Sequence, residues 1–467
     1  AVGPDYFENL DEGASVRGGK ACAVPGTVAG LLHALDKYGT MKRAQVMAPA
    51  ILLAREGFTV DEAYAKAARG LIRRFEENPG WREKFGFTWT RFLGEGKVEV
   101  GQEIRLPEQA AVLERIAELG TDGFYKGEVA EAVVAAARAA GGEMTLEDLA
   151  GFRVTEAEPL RADLVNRTLL LMPPPSSGGL AIAEAVGIMG RLRIAEHVQS
   201  GNIGLYYHVM VESFKHAFAD RAKFLGDAAL VDVPVERLLS KEHLDALAKR
   251  VRIGRTSPSE MYGSAEPLPE DGGTSHLCVV DRWGGAVACT ETINLSFGSL
   301  VSSDRLGFCL NNQMDDFTTR RGSSNAFGLV QSDRNRPAPG KRPLSSMSPT
   351  IVLDKDGKVR AVAGASGGPR IITATVQALM NTLVRGHNAA EAVSRPRVHH
   401  QWKPAELEVE SGFDERHEGL SVESWMRKLG HTVKTPSEGA AVQMIVLRGK
   451  RYEAACDPRK GGKPDGE

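Results

Sequence analysis

The chain has 467 residues, with 58 Lys and Arg against 60 Asp and Glu and a formal charge of −2. That balance gives no electrostatic reason to expect nucleic acid or an anionic membrane surface as partner. The hydrophobic content of 42% supports a sizeable core, whereas no run of about 18 apolar residues offers a helix that crosses a membrane.

Length alone allows two or three domains or one large α/β unit. Residues 1–20 are polar and rich in Gly, and a loop is expected there. Pro25-Gly26-Thr27 opens a helix that carries Val28, Leu31, Leu32 and Leu35 at helical spacing, and Gly39 stops it. Helical patterns follow over 42–56, 61–76, 108–119 and 128–140. Thr145-Leu146-Glu147-Asp148 reads as a capping box. Strand character spans 161–171 and ends at Pro173-Pro174-Pro175, a rigid turn before a helix. Helices are expected at 179–192, 204–224 and 235–251, then a linker rich in Ser, Pro and Gly over 255–273. From Thr274 the texture changes. Three hairpins are expected, pairing 275–281 with 286–292, 350–353 with 359–365, and 442–447 with 451–456. Helices lie between them at 371–385, 389–394 and 422–429. Neither half reads as a balanced globule, so one interleaved fold is expected.

The chemistry gathers around Thr274, where Asp271-Gly272-Gly273 runs straight into a strand. A β-branched residue suits a strand start, but a Thr hydroxyl is also a nucleophile in need of a base. A break before Thr274 would supply one, an α-amine with a pKa of about 7.7–8 within reach of its own Oγ. Gly273 has no Cβ to obstruct the bend. In Gly367-Gly368-Pro369-Arg370, Pro369 suits the start of a helix. The preceding amides then point free at the positive end of the dipole. Two such amides can hold an oxyanion, each worth about 2.7–4 kcal/mol of barrier. The rival reading, a phosphate loop, lacks the Lys-Ser/Thr that should follow. Residues 311–316 form an Asx-rich turn by themselves, and Ser345-Ser346 after Pro343 an ordinary one. His399-His400 has no further ligand at metal spacing and reads as structural. His276, two residues past Thr274, shares its side of the strand; packing is favoured over a positioning role. Cys22, Cys278, Cys289, Cys309 and Cys456 read as small buried hydrophobes. No metal and no cofactor is implied.

Gly-Thr-Ser-His at 273–276, Thr292-Ile293-Asn294, Asn311-Asn312-Gln313-Met314-Asp315-Asp316-Phe317, Pro343-Leu344-Ser345-Ser346-Met347-Ser348-Pro349-Thr350 and Gly367-Gly368 together resemble the γ-glutamyltranspeptidase family. The likeness runs from about Gly19 to Arg459. It implies the α+β fold of N-terminal nucleophile hydrolases, a four-layer αββα sandwich built jointly by both segments. It also implies autocatalytic cleavage between Gly273 and Thr274, giving a mostly helical large-subunit segment 1–273 and a small-subunit segment 274–467 that associate as a heterodimer. Thr274 would be the nucleophile and Thr292, across the hairpin, its assistant. Asn294, Gln313 and Asp316 would bind the donor's α-amino group, Ser345 and Ser346 its α-carboxylate. Gly367 and Gly368 would form the oxyanion hole. Donors would be glutathione and other γ-glutamyl compounds, and acceptors water, amino acids or peptides.

The family's carboxylate-pairing Arg would lie upstream of Ala1, together with the first strands of the sandwich. Ala1-Val2-Gly3-Pro4 shows no signal-like core, and the resemblance implies export, periplasmic or secreted, with a leader removed. Residues 318–340 resemble a lid loop with Phe327 where Tyr is common, which removes a hydroxyl that would bond Asn294. Glu291 replaces a commonly neutral residue. Two alternatives stand beside the transferase: a cephalosporin (glutaryl) acylase of the same fold, and a non-catalytic homologue.

Overall fold

The computed structural model describes residues 2–11, 13–263, 273–320, 332–435 and 439–466. Its contacts divide into two compact units, and each unit draws on chain from both sides of Thr274.

One unit is Leu10–Glu156 with Thr292–Asp315. The helical periodicity of the first half becomes α1 (Thr27–Tyr38), α2 (Arg43–Glu56), α3 (Glu62–Glu77), α4 (Pro107–Leu119) and α5 (Gly127–Ala139). Asp61 caps α3, its carboxylate accepting from Tyr64 N at 2.7 Å. Ala65, Ala68, Leu71 and Phe75 then fall on one buried face. That face packs in one cluster with Val112 and Ile116 of α4 and Val129 and Val133 of α5. Leu300, Leu306 and Leu310 join the same cluster from the later part of the chain. The expected capping box is present: Thr145 Oγ1 accepts from Asp148 N at 3.1 Å, and Asp148 Oδ2 accepts from Thr145 N at 2.9 Å.

The other unit is Ala1–Asn9, Ala157–Glu291 and Asp316–Glu467. Its elements are β1 (Leu160–Asp163), β2 (Thr168–Leu171), α6 (Gly178–Arg191), α7 (Ile203–Phe224), α8 (Lys241–Arg250), β3 (Thr274–Val280), β4 (Ala286–Thr292), β5 (Thr350–Leu353), β6 (Val359–Ser366), α9 (Arg370–Leu383), α10 (Ala389–Ser394), β7 (Ala441–Arg448) and β8 (Arg451–Cys456). Six strands form one antiparallel sheet in the order β8-β7-β6-β5-β2-β1. Strands from before and after Thr274 meet in its middle, with Leu169 of β2 opposite Val352 of β5. Residues Ala361 to Ser366 of β6 are all buried. Consecutive burial in a period-two strand requires cover on both faces. Helix α9 covers one, and the β3–β4 ribbon packs against β6 and β7. This layering is that of the α+β sandwich, with both segments contributing strands.

Two expected elements differ. The strand 161–171 is a hairpin, because Val165 (φ 49°) and Asn166 (φ 60°) turn the chain in the left-handed region. Leu164 and Arg167 close it with backbone bonds of 2.9 and 3.1 Å. The helix 235–251 is broken at Ser240, whose hydroxyl caps α8 by accepting from His243 N at 3.2 Å. Residues 264–272 of the expected linker and 321–331 of the expected lid, Phe327 included, lie outside the described residues. Among the described residues no helix is long and apolar enough to cross a membrane.

Candidate active site

Within the sheet-bearing unit, Thr274 opens β3 and is 4% exposed. Its carbonyl oxygen accepts from Lys460 Nζ at 2.8 Å. Two residues on, the His276 ring lies over Gly364 of β6. A Cβ added at Gly364 would meet His276 Cε1 at 2.2 Å. The ring is otherwise satisfied by Thr290 Oγ1 at 2.7 Å and Cys278 Sγ at 3.3 Å. Burial pushes its pKa down to about 4, so it is neutral at physiological pH. The expectation of a packed histidine holds, and its packing seats the ribbon on the sheet.

Three residues past Gly364, the end of β6 passes into the two glycines. Gly367 (φ 132°) and Gly368 (φ 56°) both take conformations that disfavour a side chain. Gly367 also lies against the backbone of Ala440, where a Cβ would come within 2.9 Å of Ala440 Cα. Their carbonyls accept from Arg370 N and Ile371 N at 3.2 and 3.1 Å, opening α9. Pro369 holds φ −65° at its start. The two glycine amides donate to no acceptor among the described residues. They are therefore available, at a helix N-terminus, to a developing negative charge.

Ser345 is held by the proline-rich segment that ends β2. Ser177 N and Oγ both donate to Ser345 O, at 2.7 and 2.6 Å, and Ser345 N donates to Pro175 O at 3.1 Å. Ser345 Oγ accepts from Met347 N at 3.1 Å, and Ser346 O from Ser348 Oγ at 3.0 Å. Ser177 thus spends its hydroxyl on Ser345 rather than on capping α6. It also accepts from Arg221 Nε at 2.8 Å. Arg221, near the end of α7, is 1% exposed, and burial lowers its pKa to about 10. The charge of Asp316 opposes that shift, so the guanidinium stays protonated at neutral pH. Asp316 is itself buried, its carbonyl accepting from Asn335 Nδ2 at 2.6 Å.

In the helical unit, Thr292 Oγ1 accepts from Asn294 N at 2.8 Å. Asn294 is 2% exposed with φ 72°, and its Nδ2 donates to Asn312 O at 3.1 Å. Asn312 Oδ1 accepts from Leu295 N at 3.0 Å. Gln313 N donates to Asn311 Oδ1 at 2.9 Å, and Asn311 Nδ2 reaches Ala23 O at 2.9 Å. Asn311 and Asn312 are therefore framework. They hold the backbone on which Asn294 and Gln313 are presented.

The unit with the sheet contains Thr274, Asp316, Ser345, Ser346, Gly367 and Gly368; the helical unit contains Thr292, Asn294 and Gln313. His399 and His400 are structural, as expected. His399 bonds Thr373 Oγ1 at 2.8 Å and Gln401 Oε1 at 3.0 Å, and His400 Nδ1 accepts from Trp402 N at 3.0 Å. Sequence reasoning missed Arg221 and Lys460 and gave Ser177 no role of its own. Arg221 had left a trace: it follows Phe214 and Phe218 on a buried helical face, where an unpartnered cation is costly.

The family model described as Gamma-glutamyltranspeptidase matches residues 1–466. The glutathione hydrolase proenzyme of Escherichia coli (strain K12) is 40% identical over 407 residues, 87% of this chain and 69% of that protein. The glutathione hydrolase proenzyme of Pseudomonas sp. (strain A14) is 36% identical over 465 residues, 98% of this chain and 79% of that protein. Among solved structures, a cephalosporin acylase from Bacillus halodurans aligns with a TM-score of 0.76 at 25% identity, covering 95% of this chain and 78% of that one.

Proposed function

Because the chain belongs to the γ-glutamyltranspeptidase family, we propose that it is a γ-glutamyltransferase and glutathione hydrolase that matures by cutting itself before Thr274. In the first step Thr274 Oγ attacks the Gly273 carbonyl carbon, the peptide bond opens to an ester, and water releases the Gly273 carboxylate. The products are segments 1–273 and 274–467, which stay together as a heterodimer. In turnover the new α-amine takes the Oγ proton, and Oγ attacks the γ-carbonyl of glutathione or a related donor. The Gly367 and Gly368 amides receive the oxyanion, and the departing amine leaves protonated. Water or an amino-acid or peptide amine then attacks the γ-glutamyl ester and regenerates Thr274, a two-step route with ping-pong kinetics.

The observation that carries this reading is the neighbourhood of His276 and Gly364. Thr274 lies two residues before that contact on its strand, and the free glycine amides begin three residues after it on theirs. Strand residues advance about 3.3 Å each, so the nucleophile and the first amide each lie within about 10 Å of that contact along the chain, which supports their acting together. Thr292 is proposed to orient Thr274 Oγ. Asn294, Gln313 and Asp316 are proposed to take the α-ammonium, and Ser345 and Ser346 the α-carboxylate. An ionised Asp316 facing an ammonium makes a charge-assisted bond, stronger than a neutral one. This donor set favours γ-glutamyl substrates over the glutaryl side chain of a cephalosporin, which has no α-amino group. By the same membership the protein is proposed to act in the periplasm or outside the cell.

The test combines denaturing gels with two substrates. Wild type should give two bands, the smaller beginning at Thr274 by N-terminal sequencing, and should turn over γ-glutamyl-p-nitroanilide in preference to glutaryl-cephalosporanic acid. Thr274→Ala should remain a single inert chain. Faster release from the cephalosporin would move the assignment to the acylase, and an uncut, inert wild type to a non-catalytic homologue.

A further inference from the structure

Away from the candidate active site, three helices of the sheet-bearing unit bring together Glu184 of α6, Asp220 of α7 and His243 of α8. One ligand atom from each lies within 4.8 Å of the others. Glu184 is fully buried, and neither of its carboxylate oxygens meets a hydrogen-bond donor among the described residues. With no donor at either oxygen, an ionised carboxylate there is costly. His243 Nε2 lies 2.6 Å from Asp220 Oδ2, and these two side chains keep 18% and 14% exposure, which leaves an approach from solvent. Burial first, then the charge of Asp220 and a hydrogen bond shared with its side chain, hold the Glu184 carboxyl well above its ordinary range.

The helices are built to make this approach. Gly187, nearly one turn beyond Glu184, lets α8 come in close; a Cβ there would meet Leu244 Cδ1 at 2.8 Å. Leu244 is the residue after His243. Around it, Ile188 of α6 packs with Leu244, Leu247 and Val251. The other His and Glu group among the described residues, His208, Glu212 and His431, is already occupied by protein partners. Lys215 Nζ lies 2.9 Å from Glu212 Oε1, and His208 Nδ1 lies 2.9 Å from His431 Nε2. No such cation is bonded to Glu184.

We propose that Glu184, Asp220 and His243 bind one divalent cation that accepts both carboxylate oxygen and imidazole nitrogen, of the Zn²⁺ or Mn²⁺ class. Three protein ligands leave further positions to water, and the mixed oxygen and nitrogen set disfavours Mg²⁺ and Ca²⁺. The ion staples α6, α7 and α8. Asp220 immediately precedes Arg221, which donates to Ser177 Oγ, which in turn donates to Ser345 O. Binding therefore stiffens the support of the proposed carboxylate pocket.

The purified full-length protein, stripped with chelator, is titrated calorimetrically with ZnCl₂, MnCl₂, MgCl₂ and CaCl₂, and its Tm is measured with each. The expected result is saturable one-to-one binding of Zn²⁺ or Mn²⁺ with a raised Tm, and no effect of Mg²⁺ or Ca²⁺. Glu184→Gln and His243→Gln should each weaken binding by about tenfold or more. Should Glu184→Gln fail to fold, His243→Gln, at the more exposed position, decides alone. One-to-one binding absent for all four ions, or undiminished in the folded variants, overturns the proposal. The donor KM, expected to fall on metal addition, rests on the γ-glutamyl reading; calorimetry and Tm do not, so the two can fail separately.

Discussion

Ser177 shows how much a single hydroxyl can carry. It accepts from a buried guanidinium and donates to the carbonyl of Ser345. Ser177→Ala removes one donor from that carbonyl and the acceptor of Arg221 Nε. A loss of about 1–3 kcal/mol is expected, read as a lower urea midpoint, with the donor KM raised more than kcat is lowered. Gly367→Ala tests the proposed oxyanion pair. Its Cβ meets the backbone of Ala440 and its φ of 132° suits no side chain, so the amide is displaced. A fall in kcat of about a hundredfold is expected, with far-UV circular dichroism unchanged. The proposed roles of Thr274 and the glycine pair could be argued from sequence because the chemistry is local: a cut would make a base, and a Gly-Gly-Pro start frees amides. The contacts of Ser177 and Arg221 could not, because Ser345 lies 168 residues beyond Ser177, and Arg221 lies 44 beyond it.

At the level of elements, the seating of the ribbon on the sheet rests on one exchange of volume. Gly364 gives up a side chain and His276 fills the space. Gly364→Ala is expected to unseat β3, leaving the chain uncut and its Tm lowered. Adding His276→Ala should restore part of both, a positive coupling in a double-mutant cycle. Failure of the second change to rescue the first would place the damage elsewhere. The hairpins were legible because two of their turns use the same device. Asp281 Oδ1 accepts from Trp283 N and Gly285 N at 2.8 and 2.7 Å, and Asp354 Oδ1 from Asp356 N and Lys358 N at 2.9 and 3.0 Å. The β1–β2 turn escaped notice because Val165, a β-branched residue, occupies a left-handed position that composition argues against. The break before α8 was signalled by Ser240, a good cap set inside an otherwise continuous apolar period.

Over the whole molecule, acid should be destabilising. Burial depresses the pKa of His276 and His399 to about 4, and of His216 and His431 to about 3. Between the unfolded value near 6.5 and those folded values, the unfolded chain binds protons that the folded one does not. Their stabilisation is complete above about pH 6.5 and is lost as pH falls toward 4, at about 1.4 kcal/mol per histidine for each pH unit crossed. Urea midpoints should be level from pH 7 to 8 and drop steadily from 6.5 to 4.5. A rise over that interval would contradict the assignment of neutral buried imidazoles. Cleavage, by contrast, should leave size unchanged. Since β2 pairs with β5 inside one sheet, both fragments should elute together at the mass of the whole and part only in denaturant. Composition suggested this mixing, with helices crowded before Thr274 and hairpins after it. It could not reveal that the chain partitions into two units, because residues 292–315 join the earlier helices through contacts remote in sequence.

That shared sheet also makes maturation a one-way event in folding terms. The uncut precursor closes the β2–β5 pairing within a single polymer, at a loop-closure cost that grows only logarithmically with the length between. After scission the same pairing is a second-order encounter between two molecules, and its yield depends on dilution. The mature protein should thus persist through a high unfolding barrier rather than through reversible equilibrium, and once dispersed it has lost the tether that first assembled it.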